Sequence, residues 1–315
     1  MVSTALTWLM HTHLQTLTRT YPLIVVIGVL GTLLFGPPTL EVQAMMAALG
    51  VVTLGLPHGA ADLLVARDQG FTLTLGRTLL FVSAYLALAA LAMGLWLWMP
   101  HVALGVFLAI SAWHFAGDWA PTLRGFYRMT VGTAILASPA IFYEVEVALV
   151  FASLVPEDSA KLLAALMFAL TLSLLPAACF IPFQPEHRSP STQLSVAATL
   201  LSAVCLPPLL FFLAYFCIYH SPKHLAGVLE RLKPLSRARV KGGIALNVLL
   251  ALPLMGAASW LVQAGEHMAQ SPWLQFAFVG LFTLTIPHMA LEEVIRFRRK
   301  SLSVRALLSS SCSPG

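Results

Sequence analysis

Charged residues are scarce in this sequence. Asp, Glu, Lys and Arg together make up 10 % of its 315 residues, whereas 58 % are hydrophobic and the mean hydropathy is +0.84. A water-soluble domain of this composition would precipitate, so the composition excludes soluble enzymes and soluble binding modules. The sequence therefore predicts an integral membrane protein.

Paired cysteines and a cleavable leader are also missing. The four cysteines show no paired spacing, and three of them, Cys179, Cys205 and Cys217, lie in apolar runs. This pattern argues against a disulfide framework and predicts buried free thiols. No basic segment followed by an Ala-x-Ala cleavage site appears near the N-terminus. We therefore expect the first apolar run to be retained as a helix.

The basic residues are too dispersed to form a nucleic-acid-binding face. The net charge is +5, but Lys and Arg lie in short connections and near the C-terminus, so nucleic acid is not expected as a partner.

By the positive-inside rule, connections that carry basic clusters face the cytoplasm. The clusters are Arg67 with Arg77, Arg124 with Arg128, residues 223–241 and residues 296–300. This distribution predicts a multi-pass protein of the cell (inner or plasma) membrane with a cytoplasmic C-terminus.

Nine apolar stretches approach the length that spans a bilayer. They cover residues 21–35, 42–65, 78–99, 102–120, 129–154, 162–183, 194–219, 243–264 and 273–295. The sequence predicts an all-α, polytopic transmembrane bundle of about eight helices (eight or nine), forming one membrane-embedded catalytic domain over residues 1–315 with no soluble domain. We expect the Ser-rich segment 306–315 to be a disordered tail.

The charge pattern conflicts with this helix count at one place. An odd number of crossings must separate a cytoplasmic Arg124 from a helix that begins outside near residue 194, yet hydropathy offers two. Either one segment is interfacial or re-entrant, or the stretch 129–154 is broken at Glu144 and Glu146 into two short pieces. The sequence leaves both explanations open.

Histidines and carboxylates recur inside the apolar stretches. Ionisable side chains at membrane depth cost several kcal/mol each unless they find partners, so eight of them in four segments indicate a function. The charge-based orientation also places all the histidines at similar depth, as a single metal ion requires. The eight residues are His58 with Asp62, His114 with Asp118, His288 with Glu292, and the pair His220 and His224.

The spacing suggests how each carboxylate is used. Residues four apart lie on one face of a helix, so Asp62, Asp118 and Glu292 would each orient the histidine one turn earlier on its own helix. Two alternatives remain: a proton or ion relay, as in transporters, or a structural hydrogen-bond network. Between His220 and His224, the dipeptide Ser-Pro resembles a helix start, which predicts that one helix ends and another begins there.

The types of ligand limit which metal ions such a site would bind. Imidazoles with carboxylates and no thiolate suit Fe, Zn, Cu or Ni, and a non-haem Fe(II) site with open positions is a common way to activate O2. A haem with two axial histidines is the rival, and a di-iron desaturase would need more histidine pairs. Aromatic residues flank the histidines, either as ordinary packing or as a tunnel for a long apolar substrate. They are Trp113, Phe115, Trp119, Tyr215, Phe216, Tyr219, Phe276, Phe278 and Phe282.

Four segments resemble the signature segments of the Brp/Blh family of membrane β-carotene 15,15′-dioxygenases. They are GLPHGAAD at 55–62, WHFAGD at 113–118, YFCIYHSPKH at 215–224 and IPHM at 286–289, and they occur in the family's order. The likeness runs from about residue 45 to residue 296.

The resemblance implies an enzyme that uses Fe(II) and O2 to cleave β-carotene at its central double bond, giving two all-trans-retinal molecules. It implies that His58, His114, His220 and His224 are the iron ligands, whereas His288 is a fifth ligand or a supporting group together with Glu292. A functional link to a retinal-binding rhodopsin would follow. The alternatives are an intramembrane proton or ion transporter, or another membrane non-haem iron oxygenase acting on a long-chain lipid.

Overall fold

The computed structural model describes residues 2–119, 125–179, 189–232, 237–264 and 271–311, and every regular element in these ranges is helical. The α-helices are α1 (Val2–Phe35), α2 (Leu40–Gly50), α3 (Leu56–Gly59), α4 (Asp62–Asp68), α5 (Leu75–Trp98), α6 (Pro100–Trp119), α7 (Gly125–Ala137), α8 (Glu144–Ala152), α9 (Glu157–Cys179), α10 (Pro190–Cys205), α11 (Pro208–Phe212), α12 (Ser221–Arg231), α13 (Arg237–Ala264) and α14 (Pro272–Ser311). Two π-helical segments (Val51–Gly55, Leu213–His220) and a 3₁₀ turn (Ser138–Ile141) join some of them.

Six helices within the described ranges are long and apolar enough to cross a membrane, and a bent pair raises the number to seven. The six are His13–Phe35, Leu40–Asp68, Leu75–Trp98, Pro100–Trp119, Ala238–Ala264 and Pro272–Arg299. This arrangement fits a multi-pass membrane protein. The all-helical prediction is confirmed for these ranges, but six or seven candidate spans are fewer than the eight or nine predicted.

One shortfall comes from the stretch 129–154. Helix α7 ends at Ala137, the turn Ser138–Ile141 follows, and α8 begins at Glu144 with a bend of 100° between the two parts. Pro139 lies in the turn, where its missing N–H and fixed φ suit a short 3₁₀ element. A break at Glu144 is one of the two explanations that the sequence left open, and a pair bent in this way is either a broken span or a re-entrant loop. The orientation predicted from charge stays a prediction, since Arg124 lies outside the described ranges.

Two further predicted stretches, 162–183 and 194–219, are not among the candidate spans of the described residues. The stretch 194–219 was wrongly predicted to be one helix. Helix α10 ends at Cys205, and Leu206 adopts an extended conformation (φ −111°, ψ 138°) before Pro207. A residue that precedes proline is pushed out of the α region, so the helix stops there. Helix α11 starts at Pro208, and the π-helical segment carries the chain on to His220.

Helix α14 is the central element of the bundle. It packs against α2, α5, α6 and α13, and Leu274, Ala277 and Phe282 on it are fully buried. Small residues allow close approach elsewhere: a Cβ at Gly132 on α7 would overlap the Ala112 carbonyl of α6. Such small residues are typical of helix contacts in membranes, where apolar surface alone does not drive association.

Two further predictions can be compared with the structure. Cys205 and Cys217 are free thiols, as predicted, and Cys217 is buried; the side chains of the other two cysteines lie outside the described part. Helix α14 continues to Ser311, so the backbone of residues 306–311 is helical rather than disordered as predicted, and residues 312–315 lie outside the described ranges. Ala306, Leu307 and Leu308 are strong helix formers, which explains the continuation.

Candidate metal centre

Five histidines from four regions of the chain converge at one place. His58 lies in the short helix α3, His114 on α6 and His288 on α14. His220 directly precedes α12, and His224 lies in the first turn of α12. In nine of the ten pairs of rings, the centroids are 4.7 to 6.1 Å apart. The structure thus brings together all five predicted histidines.

Irregular helix geometry positions two of these histidines. The π-helical segment Val51–Gly55 leads into His58, and the second π-helical segment ends at His220. The two segments lie close together, since a Cβ at Gly55 would be 3.0 Å from the ring of Phe216. Single-turn π-helical elements occur frequently at functional sites, because the wider turn redirects side chains. Here they turn His58 and His220 toward each other.

Four Nε2 atoms of the histidine cluster lack hydrogen-bond partners. In the described part of the chain, Nε2 of His114, His220, His224 and His288 is buried and makes no hydrogen bond. Leaving a buried polar atom unpaired costs about 1–3 kcal/mol, so four together in one place need an explanation. A metal ion accepting these lone pairs would supply one.

The spacing of the nitrogens also fits an ion. Candidate ligand atoms of His58, His114 and His220 all lie within 4.8 Å of one another. At a metal–nitrogen distance of roughly 2.1 Å, ligands on opposite sides of one ion are roughly 4 Å apart. The donor set therefore has the composition and the size for one divalent transition metal.

Carboxylates hold the outer nitrogens of two histidines, but not the histidines predicted. Nδ1 of His220 donates to Asp118 Oδ2 at 2.7 Å, and Nδ1 of His288 donates to Asp62 Oδ1 and Oδ2 at 2.9 and 3.0 Å. An imidazole that donates from Nδ1 to a carboxylate keeps its Nε2 lone pair free for a metal. Both histidines are thus fixed in the ligating tautomer.

The prediction that each carboxylate orients the histidine on its own helix is therefore wrong. Asp118 reaches from α6 to His220, and Asp62 reaches from α4 to α14. Glu292 on α14 lies 3.7 Å from Nε2 of His224 on α12. His58 instead has its Nδ1 3.3 Å from the hydroxyl of Ser221. For Asp62 the reason is local, because α3 ends at Gly59 and the helix restarts only at Asp62.

Further hydrogen bonds support the carboxylates. Tyr215 donates its hydroxyl to Asp118 Oδ2 at 3.1 Å and accepts from Trp119 Nε1 at 2.8 Å. Tyr85 on α5 donates to Asp62 Oδ2 at 3.0 Å. Sequence reasoning missed Tyr85 and Ser221. Tyr85 did carry a signal, since it is the one ionisable residue in the apolar stretch 78–99.

An apolar cavity of about 290 Å³ adjoins the histidines. His58, His114 and His288 form part of its wall, and seven aromatic rings form much of the rest: Phe81, Tyr85, Phe107, Phe115, Phe212, Phe216 and Phe278. Of the aromatic residues singled out in the sequence, Phe115, Phe216 and Phe278 line the cavity. Trp119, Tyr215 and Tyr219 instead contact one another in the packed core, as ordinary packing predicts. The tunnel for a long apolar substrate stays a prediction.

Comparison with known proteins agrees with this geometry. A family model described as beta-carotene 15,15′-dioxygenase matches residues 49–296, which include every histidine and carboxylate of the centre. The chain belongs to this family. A relative named beta-carotene 15,15′-dioxygenase, from uncultured marine bacterium 66A03, is 27 % identical over 264 residues, covering 81 % of this chain and 94 % of the relative. No solved structure matches the chain.

Membership of the beta-carotene 15,15′-dioxygenase family identifies the chain as an enzyme. The matched residues leave out α1, most of α2 and the C-terminal part of α14. The histidine cluster and the cavity lie wholly inside the match. The structure thus presents, within the family region, a candidate metal centre beside an apolar chamber.

Proposed function

We propose that this chain is an iron-dependent membrane dioxygenase that cleaves β-carotene at the central 15,15′ double bond with O2 and releases two all-trans-retinal molecules. One observation carries the proposal: five histidines converge with four unpaired, buried Nε2 atoms beside an aromatic-lined cavity. Family membership and the name of the relative support the substrate.

In this proposal His58, His114, His220 and His224 hold Fe(II). Neutral imidazoles without thiolates suit a non-haem iron site with open positions. His288 also presents a buried, unpaired Nε2, with its Nδ1 held by Asp62, so we assign it as a fifth nitrogen donor. Bound iron would supply the oxygen chemistry that no side chain of the protein provides.

The remaining residues bind and orient the substrate. A polyene has no hydrogen-bonding groups, so a wall of phenylalanine and leucine side chains binds it by contact and excludes water. The polyene offers many similar double bonds, and its position along the cavity decides which of them lies beside the histidines. Asp62 and Asp118 keep the imidazoles of His288 and His220 in the ligating tautomer, and Asp62 also forms part of the cavity wall.

Two other functions can be separated from this one by experiment. A proton or ion transporter would use the pairs His288–Asp62 and His220–Asp118 as relays, and it would work without iron or O2. Family membership in a dioxygenase family argues against it. Another oxygenase acting on a long-chain lipid would suit the same apolar cavity, and only the product distinguishes it.

The proposal is tested in carotene-producing cells. Cells expressing the wild-type chain should yield retinal in an organic extract, and His58→Ala or His220→Ala should abolish it while the protein still inserts into the membrane. His101→Ala is the matched control, because His101 is exposed and distant in sequence from the cluster motifs. Purified wild-type protein should contain about one iron per chain and show no haem absorbance.

Two outcomes would contradict the proposal. Retinal at the wild-type level from both ligand variants would exclude the histidine cluster as the catalytic centre. A cleavage product other than retinal would indicate a different substrate or bond. If retinal is the product, a retinal-binding rhodopsin in the same membrane is its expected recipient.

A further inference from the structure

The cavity beside the histidines extends to the lateral surface of the bundle between α5 and α13. Val82 and Leu86 on α5, and Leu250 and Leu254 on α13, line the cavity yet are 36, 46, 57 and 42 % exposed. Deeper lining residues such as Phe107 are buried. Exposed lining side chains on two neighbouring helices mark the mouth of the cavity.

Each helix contributes one continuous face to this mouth. On α13 the lining residues Asn247, Leu250, Ala251 and Leu254 follow the i, i+3, i+4, i+7 pattern of a single helix face. On α5 the residues 81, 82, 85 and 86 form the opposing face. Both helices pack mainly against α14 rather than against each other, which leaves the gap between them.

Both helices of the mouth are candidate membrane spans, and the mouth lies near the middle of each. Leu86 is near the middle of α5 (Leu75–Trp98), and Leu250 is near the middle of α13 (Arg237–Ala264). Eleven residues of helix from Leu75 to Leu86 rise roughly 16 Å, about half of the bilayer's hydrocarbon thickness. The opening therefore faces lipid tails, not water.

The polar side chains at the mouth are engaged in hydrogen bonds with the α3–α4 turn. Tyr85 donates to Asp62, and Asn247 Nδ2 donates to the Ala60 carbonyl at 2.7 Å. Both bonds direct polar groups toward the inner end of the opening. The outer rim is formed by Val82, Leu86 and leucines of α13, so an apolar molecule crosses it without displacing a charge.

We propose that α5 and α13 form a lateral portal through which the carotenoid passes from the bilayer to the histidine cluster, with Val82, Leu86, Leu250 and Leu254 as portal residues. This inference rests on the proposed function, since the occupant is the substrate named there. The portal residues then limit the width of the end group that enters, and they govern substrate capture without contacting the metal.

Tryptophan substitutions test the portal. Leu250→Trp and Val82→Trp place a bulky ring at the rim, whereas Leu249→Trp and Leu79→Trp place it on the same helices at positions that are exposed and do not line the cavity. We expect the initial rate of retinal formation from β-carotene in membranes to fall at least about tenfold in the rim variants, because the ring must be displaced as in an overpacked core. The control variants should stay within about twofold of wild type, since lone exposed substitutions have small effects.

The iron content of every variant is measured alongside the rate. A slower rate with wild-type iron places the defect in substrate entry rather than in the centre. Rim variants that retain iron and match the rate of the Leu249→Trp control would overturn the portal. Absence of retinal from the wild-type chain would overturn the proposed function itself. The experiment therefore distinguishes failure of the portal from failure of the proposed function.

A second measurement does not depend on how the tryptophan variants fold. Leu250→Cys and Leu249→Cys are purified with iron and then alkylated with a bulky maleimide. Alkylation at position 250 should slow retinal formation relative to the same protein before alkylation, and alkylation at position 249 should not. Equal effects at the two positions would overturn the portal.

Discussion

The substitution Asp118→Asn tests how the protein fixes its candidate metal centre. Asp118 is about nine-tenths buried and accepts from His220 Nδ1 at 2.7 Å and from the Tyr215 hydroxyl at 3.1 Å. A carboxylate only accepts, so His220 must carry its proton on Nδ1 and present Nε2 as a lone pair. Asparagine has nearly the same shape but can turn its NH2 group toward His220. The imidazole would then hold its proton on Nε2, where it cannot bind a metal.

The size of the effect follows from these contacts. Loss of a carboxylate that orients a ligating histidine typically costs 10- to 100-fold in metal affinity, which corresponds to about 1.4–2.8 kcal/mol. Lys223 Nζ lies 3.6 Å from Asp118 Oδ1, but its side chain is 40 % exposed. Losing that ion pair adds little, because solvent screens exposed pairs. We therefore expect iron affinity to fall roughly 10- to 100-fold.

The assay is an iron titration of chelator-stripped protein, with retinal formation measured at each iron concentration. Asp118→Asn should shift the half-saturation point to higher iron and recover much of its activity at saturating iron. Asp68→Asn is the control, since Asp68 is an exposed acid at the end of α4. A titration curve for Asp118→Asn that coincides with the wild-type curve would refute the assigned role of the His220–Asp118 pair.

Three further predictions concern the support of the site, the packing and the metal. Tyr85→Phe removes a hydrogen bond to Asp62 worth about 1 kcal/mol, so iron affinity should fall less than in Asp118→Asn. A half-saturating iron concentration as high as that of Asp118→Asn, or higher, would contradict this. Gly132→Ala forces α6 and α7 apart and should lower the free energy of unfolding by at least about 1–3 kcal/mol. Gly105→Ala should not lower it, because Gly105 has open space around it. Equal melting temperatures of the two variants in detergent would contradict this prediction. Iron at about 100 times its Kd should stabilise the folded protein by about 2.7 kcal/mol, so chelation should lower the melting temperature, and an unchanged melting curve would argue against a bound metal.

The sequence was sufficient to predict which histidines meet. An ionisable residue in an apolar helix needs a partner, and the loop charges placed four such segments at similar depth. It was not sufficient to predict which carboxylate meets which histidine. A spacing of four residues puts Asp118 on the same helix face as His114, but a side chain on that face can contact the neighbouring helix as readily as its own. Which histidine Asp118 contacts depends on how the helices pack, and the spacing along the sequence carries no information about that packing.

The sequence also signals some helix boundaries and not others. A break at Glu144 was one of two explanations that the sequence offered, because two acids in an apolar stretch conflict with a continuous span. The break at Leu206 was missed although Pro207 and Pro208 signal it, since hydropathy averages over a window and two prolines hardly change the mean. The π-helical segments have no such signal, because they arise from contacts such as that between Gly55 and Phe216.

The hydrogen bonds between carboxylates and histidines of different helices connect the candidate metal centre to the packing of the bundle. In a bilayer, apolar surface does not drive helices together, so polar contacts and close packing must. The bond between Asp62 and His288 joins α4 to α14, and the bond between Asp118 and His220 joins α6 to the segment before α12. Pairs within one helix, as the spacing suggested, would have oriented the imidazoles without joining any helices. Because the pairs cross between helices, the same hydrogen bonds that fix the ligating tautomers also assemble the bundle, and the centre exists only when the helices are packed.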